Sequence, residues 1–147
     1  MAAGTGTRVK DRMEQIDQTL FPFLTFHGNA EEAMNFYRSV LPGAKIESIA
    51  RFEKGQRGDF GKVINGVLSF MGMHIIFMDM NAEYDCPPFS WTTSFYVACR
   101  DEVEFDSMFN GLAQGGVVMM KEEPFMHYRK VAWVTDKYGV TWQPVLE

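Results

Sequence analysis

The amino-acid sequence predicts an α+β fold of two βαβββ modules, and three observations predict it. A strand-like run, a helix cap, an amphipathic helix and a helix-stopping glycine occur in that order twice; the two caps, Asn29 and Asp101, lie 72 residues apart (101 minus 29). Each helical segment is followed by three further strand-like runs. Between the two series lies "NAEYDCPPFSW", residues 81–91, where two prolines and a lack of periodicity mark a linker.

The elements follow in order. Residues 1–18 are polar and predict a flexible tail with a short helical piece. The first module covers 19–80. It opens with "LFPFLTF" (20–26), whose aromatic and β-branched content predicts a strand. Asn29 suits an N-cap, and Glu32 sits at the capping-box position. Ala33, Phe36, Tyr37, Val40 and Leu41 share one face at helical spacing, which predicts a helix over 30–41 that Pro42-Gly43 stops. "KIESIARF" (45–52), "KVINGVLSF" (62–70) and "HIIFMDM" (74–80) predict three strands, with a glycine-rich turn region at 55–61. The second module, 92–147, repeats the plan. "TTSFYVA" (92–98) is the strand and Asp101 the cap, with Glu104 three residues on. Phe105, Met108, Phe109 and Leu112 form the stripe of a helix over 102–113, and Gly115-Gly116 stops it. Strands then follow at 117–120, 128–135 and 140–146. A lone unit of this kind cannot bury its sheet, so the two modules must pack together as one domain or across a dimer.

Composition narrows the function classes. The chain has 147 residues, 46% hydrophobic and 14% aromatic, enough for a packed interior. Its net charge is −5 and its Lys and Arg residues are scattered, so neither nucleic acid nor an anionic membrane surface is the expected partner. No apolar run reaches the roughly 20 residues of a membrane span, and the N-terminus lacks the apolar stretch of a signal peptide. A cytoplasmic protein is expected. The two cysteines form no CxxC pair or disulfide framework; Cys99 reads as a core thiol and Cys86 as a loop residue. Gly4-Thr5-Gly6 follows no strand and is neither a dinucleotide fingerprint nor a phosphate loop. No GxSxG is present.

Two segments carry a family resemblance. "FLTFHGNAEEAMNFYRSVLPGAKI" resembles the opening of PhnB-like proteins, also labelled 3-demethylubiquinone-9 3-methyltransferase-like, and "KVAWVTDKYGVTWQ" resembles their closing D-x-[FY]-G, V-x-W motif. These proteins belong to the vicinal oxygen chelate superfamily, with glyoxalase I, extradiol dioxygenases and bleomycin-resistance proteins. The resemblance covers about residues 20–147. It implies two βαβββ modules forming curled mixed sheets around a cavity, and a homodimer. A methyltransferase would want a doubly wound sheet with a glycine-rich first turn, which the β-rich repeat does not offer. In metal-using relatives, His and Glu ligands come from the first strand and a late strand of each module. Carried across, those positions fall on Pro22, Asn65, Ser94 (or its neighbour Thr93) and Gln143. Pro has no ligating side chain, and neutral Asn, Ser and Gln are weak partners for a transition metal. The resemblance therefore implies a pocket that persists without the metal.

The ligand-facing set expected from this reading is Asn65, Ser94, His127, Tyr128, Arg129, Trp133, Trp142 and Gln143. Pro22, Asn65, Ser94 and Gln143 are expected to converge on one cavity, with Trp133 or Trp142 in its wall. His127 reads equally as pocket lining or surface; His27 reads as a surface group beside the helix cap or as closing the cavity mouth, and His74 as a residue at a strand start, exposed or paired. Arg129 could pair with an acidic substrate through its planar fork or stay in solvent. Asp59, Asp79, Asp85 and Asp136 read as turn residues, Asp136 capping backbone N–H groups of the last hairpin. Two functions are expected from the sequence: binding of a small molecule with no cofactor, or a lyase, isomerase or dioxygenase reaction on a divalent metal held by His27, His127 and Glu122 or Glu123.

Overall fold

The computed structural model describes residues 16–147, so the tail expected at 1–18 lies mostly outside the described residues. The elements are β1 (Phe23–Phe26), α1 (Ala30–Val40), β2 (Lys45–Arg51), β3 (Val63–Phe70), β4 (Met73–Asp79), β5 (Ser94–Ala98), α2 (Glu102–Ala113), β6 (Val117–Glu122), β7 (Lys130–Thr135) and β8 (Thr141–Leu146). Both helices and all eight strands stand where the sequence pattern puts them, with ends shifted by a few residues. Two compact units result: one holds the described residues to Ser39 and Gly43–Cys86, the other Val40–Pro42 and Pro87–Glu147. The main division falls between Cys86 and Pro87. No helix among the described residues is long and apolar enough to cross a membrane.

The two sheets have the same topology. The first runs β1-β4-β3-β2 and the second β5-β8-β7-β6. In each, the opening strand pairs parallel to the last strand and the other pairs are antiparallel. Each is an open, mixed sheet. The internal repeat in the sequence is thus a repeat of strand order as well.

Helix α1 covers one face of the first sheet. Ala30, Ala33, Met34 and Tyr37 are buried along it, and the Tyr37 ring meets Phe77 of β4 at 5.9 Å. Gly66 of β3 lies directly under the Met34 thioether, where a Cβ would collide, so the small residue lets the helix approach the sheet. The expected stripe holds for Ala33, Tyr37 and Leu41, while Phe36 and Val40 are half-buried. In the second module, Phe105, Met108 and Leu112 are fully buried, and α2 packs against β7 and β8. Asp101 caps α2 as expected, its carboxylate accepting from the N–H of Glu104 at 2.8 Å. Glu104 in turn accepts from the Arg100 backbone at 3.0 Å and from its guanidinium at 2.7 Å.

The start of α1 is built differently. The Asn29 carbonyl accepts from the N–H of Ala33, as an N-cap residue's does. The neighbouring N–H groups of Gly28 and Ala30 go to Asp79 Oδ1 at 3.0 and 2.9 Å, and Asp79 Oδ2 takes the N–H of Val63 at 2.9 Å. Asp79, the last residue of β4, is buried and ties the helix start to Val63, the first residue of β3. Gly28 reaches this arrangement with φ +99°, a left-handed conformation glycine adopts without strain. Asp136 does a related job in the second module. Its carboxylate accepts from the N–H groups of Tyr138 and Val140 and from the Trp142 indole at 2.9 Å. Cys99 is a buried core thiol, its pKa pushed up to about 11, mainly by burial.

Candidate functional site

Strand alternation assigns each candidate side chain to a face. In the second sheet, Lys130 marks the helix side, because its ammonium reaches Asp106 of α2 at 2.9 Å. Its pKa is raised, first by that hydrogen bond and also by Glu123. Ala132, Val134, Trp142, Pro144 and Leu146 share its face through the β7–β8 register. The opposite face carries Val131, Trp133 and Thr135 of β7, Thr141, Gln143 and Val145 of β8, and Ser94 and Tyr96 of β5, because Ser94 pairs with Thr141 and Tyr96 with Gln143.

On that opposite face, Gln143 Nε2 donates to Ser94 Oγ at 2.7 Å. Two positions chosen from the sequence therefore meet, as a neutral hydrogen-bonded pair. Trp133 stands on the same face. The register places it across from Gln143, midway between the Val131–Val145 and Thr135–Thr141 pairs. Its indole N–H is buried and has no hydrogen-bond partner among the described residues. The edge of Trp91 meets its ring at 6.0 Å. Tyr96 was not singled out from the sequence, although its place two residues after Ser94 puts it on the same face. Its hydroxyl meets that of Tyr128 at 2.9 Å, and that hydrogen bond first, then desolvation, pushes its pKa up to about 12.

Trp142 corrects an expectation. It was expected as a possible wall of the ligand-facing surface, yet it lies on the helix side, 1% exposed, against Phe95 at 4.7 Å, with its N–H on Asp136. The reason is alternation: adjacent strand residues cannot share a face, so Trp142 and Gln143 point apart. His127 and Arg129 are exposed at the chain end, where His127 Nε2 lies 3.3 Å from Glu147 and Arg129 Nε donates to the Glu147 carbonyl at 2.9 Å. His127 rests on the Tyr128 ring. Glu122 is exposed, and Glu123 pairs with Lys130 at 3.2 Å.

In the first module, β3 carries Asn65 on the face opposite α1, since Gly66 next to it faces the helix. Pro22 precedes β1, and its carbonyl accepts from the N–H of Ile76 on β4. Pro22, just ahead of β1, and Asn65, in β3, therefore lie on opposite sides of β4 in the strand order. Asn65 Nδ2 donates to the carbonyl of Ile64. Beside Asn65 opens a cleft of about 590 Å³, walled by Phe52, Arg57, Met78, Glu83 and Tyr84. None of those five was legible as a site residue: Met78 lies in β4, and the segments after β2 and β4 that supply the other four show no motif. His27 is exposed. Among the described residues, no three His, Cys, Asp or Glu side chains gather as a metal-binding group.

Paired βαβββ modules with these mixed sheets define a vicinal oxygen chelate protein. The family model described as 3-demethylubiquinone-9 3-methyltransferase matches residues 18–145, and the chain belongs to that PhnB-like family. Solved structures agree. A putative 3-demethylubiquinone-9 3-methyltransferase, PhnB protein, from Bacillus cereus is 37% identical, with a TM-score of 0.80 over 88% of this chain and all (100%) of that one. A protein from Pseudomonas aeruginosa is 26% identical, with a TM-score of 0.79 over 89% of this chain and 98% of that one. A fosfomycin resistance protein from Listeria monocytogenes, solved with Mn(II), is 11% identical, with a TM-score of 0.64 over 88% of this chain and 92% of that one; it shares the fold. No curated protein gave a significant match.

Proposed function

We propose that this protein binds a small organic molecule without a metal, through the face of the second sheet opposite α2. The observation that carries the reading is the Trp133 indole, a buried donor with no partner among the described residues, on the same face as the Gln143–Ser94 pair. A buried donor left unsatisfied costs about 1–3 kcal/mol, and a ligand acceptor would recover it. Tyr96, Trp91 and Trp133 supply the flat apolar surface such sites favour. The metal-independent part of the proposal rests on donor chemistry. The positions matched to ligands of metal-using relatives hold Pro22, Asn65, Ser94 and Gln143, and the last two satisfy each other. Neutral amides and a hydroxyl do not supply the charge or the imidazole nitrogens a divalent transition metal demands, so no chemical step is assigned to one.

The test is native mass spectrometry of the purified protein, with elemental analysis of the same sample and a Trp133→Phe variant. An organic mass released on denaturation, metal below stoichiometric level, and loss of that mass in Trp133→Phe support the reading. Stoichiometric metal overturns the metal-independent part. Unchanged retention of the mass by a folded Trp133→Phe overturns the assignment of the surface.

A further inference from the structure

The first module contains a second feature that the reading above does not use. The cleft of about 590 Å³ beside Asn65 falls inside the range of roughly 300–1,000 Å³ usual for small-molecule sites. Its walls are held before any ligand arrives. The Asn81 side-chain amide donates to the Arg57 carbonyl at 2.8 Å and accepts from the N–H of Glu83 at 3.0 Å. Asp59 accepts from the N–H of Ala82 at 2.8 Å. Two loops, one before β3 and one after β4, are thus stitched together at the cleft. Gly58 lies flat under the Phe52 ring with no room for a Cβ, which fixes that ring next to Arg57.

The charges in this cleft are opposite and unspent. Among the described residues, the Arg57 guanidinium and the Glu83 carboxylate have no ion-pair or hydrogen-bond partner, and the two do not pair with each other. Asp79 also lines the cleft, but its carboxylate is occupied by three backbone N–H groups. Asn65 has given its amide N–H to Ile64, which leaves its carbonyl oxygen as an acceptor. Met78, Phe52 and Tyr84 supply apolar surface in the same cleft. An anion alone would meet Arg57 but be repelled by Glu83, and a cation alone the reverse. A molecule carrying both charges satisfies both.

We propose that the first-module cleft binds a small zwitterion with a planar apolar body, its carboxylate on Arg57 and its ammonium toward Glu83. Arg57 suits the carboxylate because its planar fork can make two parallel hydrogen bonds to it. The proposal goes beyond the reading for the second sheet and does not depend on Trp133.

The experiment is a titration followed by amide chemical shifts of the full chain, with three probes: 4-(aminomethyl)benzoate, benzoate and benzylamine. The zwitterion should bind tightest and shift the amides of residues 57–58 and 83–84. Arg57→Gln should weaken the zwitterion and benzoate roughly ten- to a hundredfold, the size of a charge-assisted hydrogen bond, and leave benzylamine unchanged. Glu83→Gln should weaken the zwitterion and benzylamine and leave benzoate equal or tighter. The spectra themselves report whether each variant is folded. Equal affinity for all three probes, or zwitterion binding that survives Arg57→Gln, overturns the proposal. So does the absence of binding by all three probes. Retention of an organic mass that depends on Trp133 would then leave the second-sheet reading standing alone.

Discussion

Replacing Asp79 with Asn isolates what one buried carboxylate does for the first module. Asp79 is 2% exposed and accepts from the N–H groups of Gly28, Ala30 and Val63 at 2.9–3.0 Å. Asparagine keeps the size but offers one acceptor oxygen. With that oxygen on Gly28 and Ala30, the new NH2 group faces the Val63 N–H, donor against donor. The buried N–H so orphaned costs about 1–3 kcal/mol. The two surviving bonds lose their charge assistance, about 1 kcal/mol each. The sum is about 3–5 kcal/mol, or roughly 6–20 °C in Tm for a chain of this length. Urea denaturation measures the loss, and hydrogen exchange localises it: the amides of Gly28, Ala30 and Val63 should exchange faster while those of α2 keep their protection. A loss below about 1 kcal/mol with these three amides still protected would refute the reasoning, because the carboxylate would then not be what satisfies them.

Further expected outcomes concern pH, metal and assembly. Glu104 is held below its ordinary pKa, first by its hydrogen bond to Arg100, so its contribution to stability is present above the ordinary carboxylate range and lost as pH falls through and below it. The Tm difference between the native chain and Glu104→Gln should therefore be largest near about pH 7 and shrink toward about pH 3; a difference independent of pH contradicts this. Elemental analysis of the purified protein should find no stoichiometric zinc, nickel, iron or manganese, and about one metal per chain would promote a metal-dependent reaction instead. We also propose a homodimer. The edge strand β6 leaves Val117, Val118 and Met119 exposed, at 62%, 45% and 38%, and exposed apolar edges invite pairing. Light scattering should report a dimer at micromolar concentration and a monomer for Val118→Lys; a monomeric native chain removes the proposal.

The elements were legible because their signals are local. The spacing of Ala33, Tyr37 and Leu41, and of Phe105, Met108 and Leu112, is helical in any context that offers one apolar face. The cap at Asp101 needs only Glu104, three residues away. The Ser94–Gln143 contact was reached through family resemblance, not through chain chemistry, since 49 residues separate the partners. The misplacement of Trp142 was avoidable. Its adjacency to Gln143 in a strand already puts the two on opposite faces. The cleft around Arg57 and Glu83 was not legible, because its charged walls come from two loops whose shape depends on hydrogen bonds between them.

The sequence by itself determined the two βαβββ modules and, through the resemblance, the family and the neutral character of the side chains at the positions matched to its ligands. The modules follow from local periodicity, capping chemistry and residue type, which the chain carries wherever it goes. The tertiary structure alone decided which partners those side chains found. Asp79, readable only as a turn aspartate, became the acceptor for amides 16, 49 and 51 residues away. Trp142 became core, and Trp133 was left with an unsatisfied N–H on the other face. Such outcomes depend on strand register, and register is a long-range agreement in which a shift of one residue turns every side chain to the opposite face.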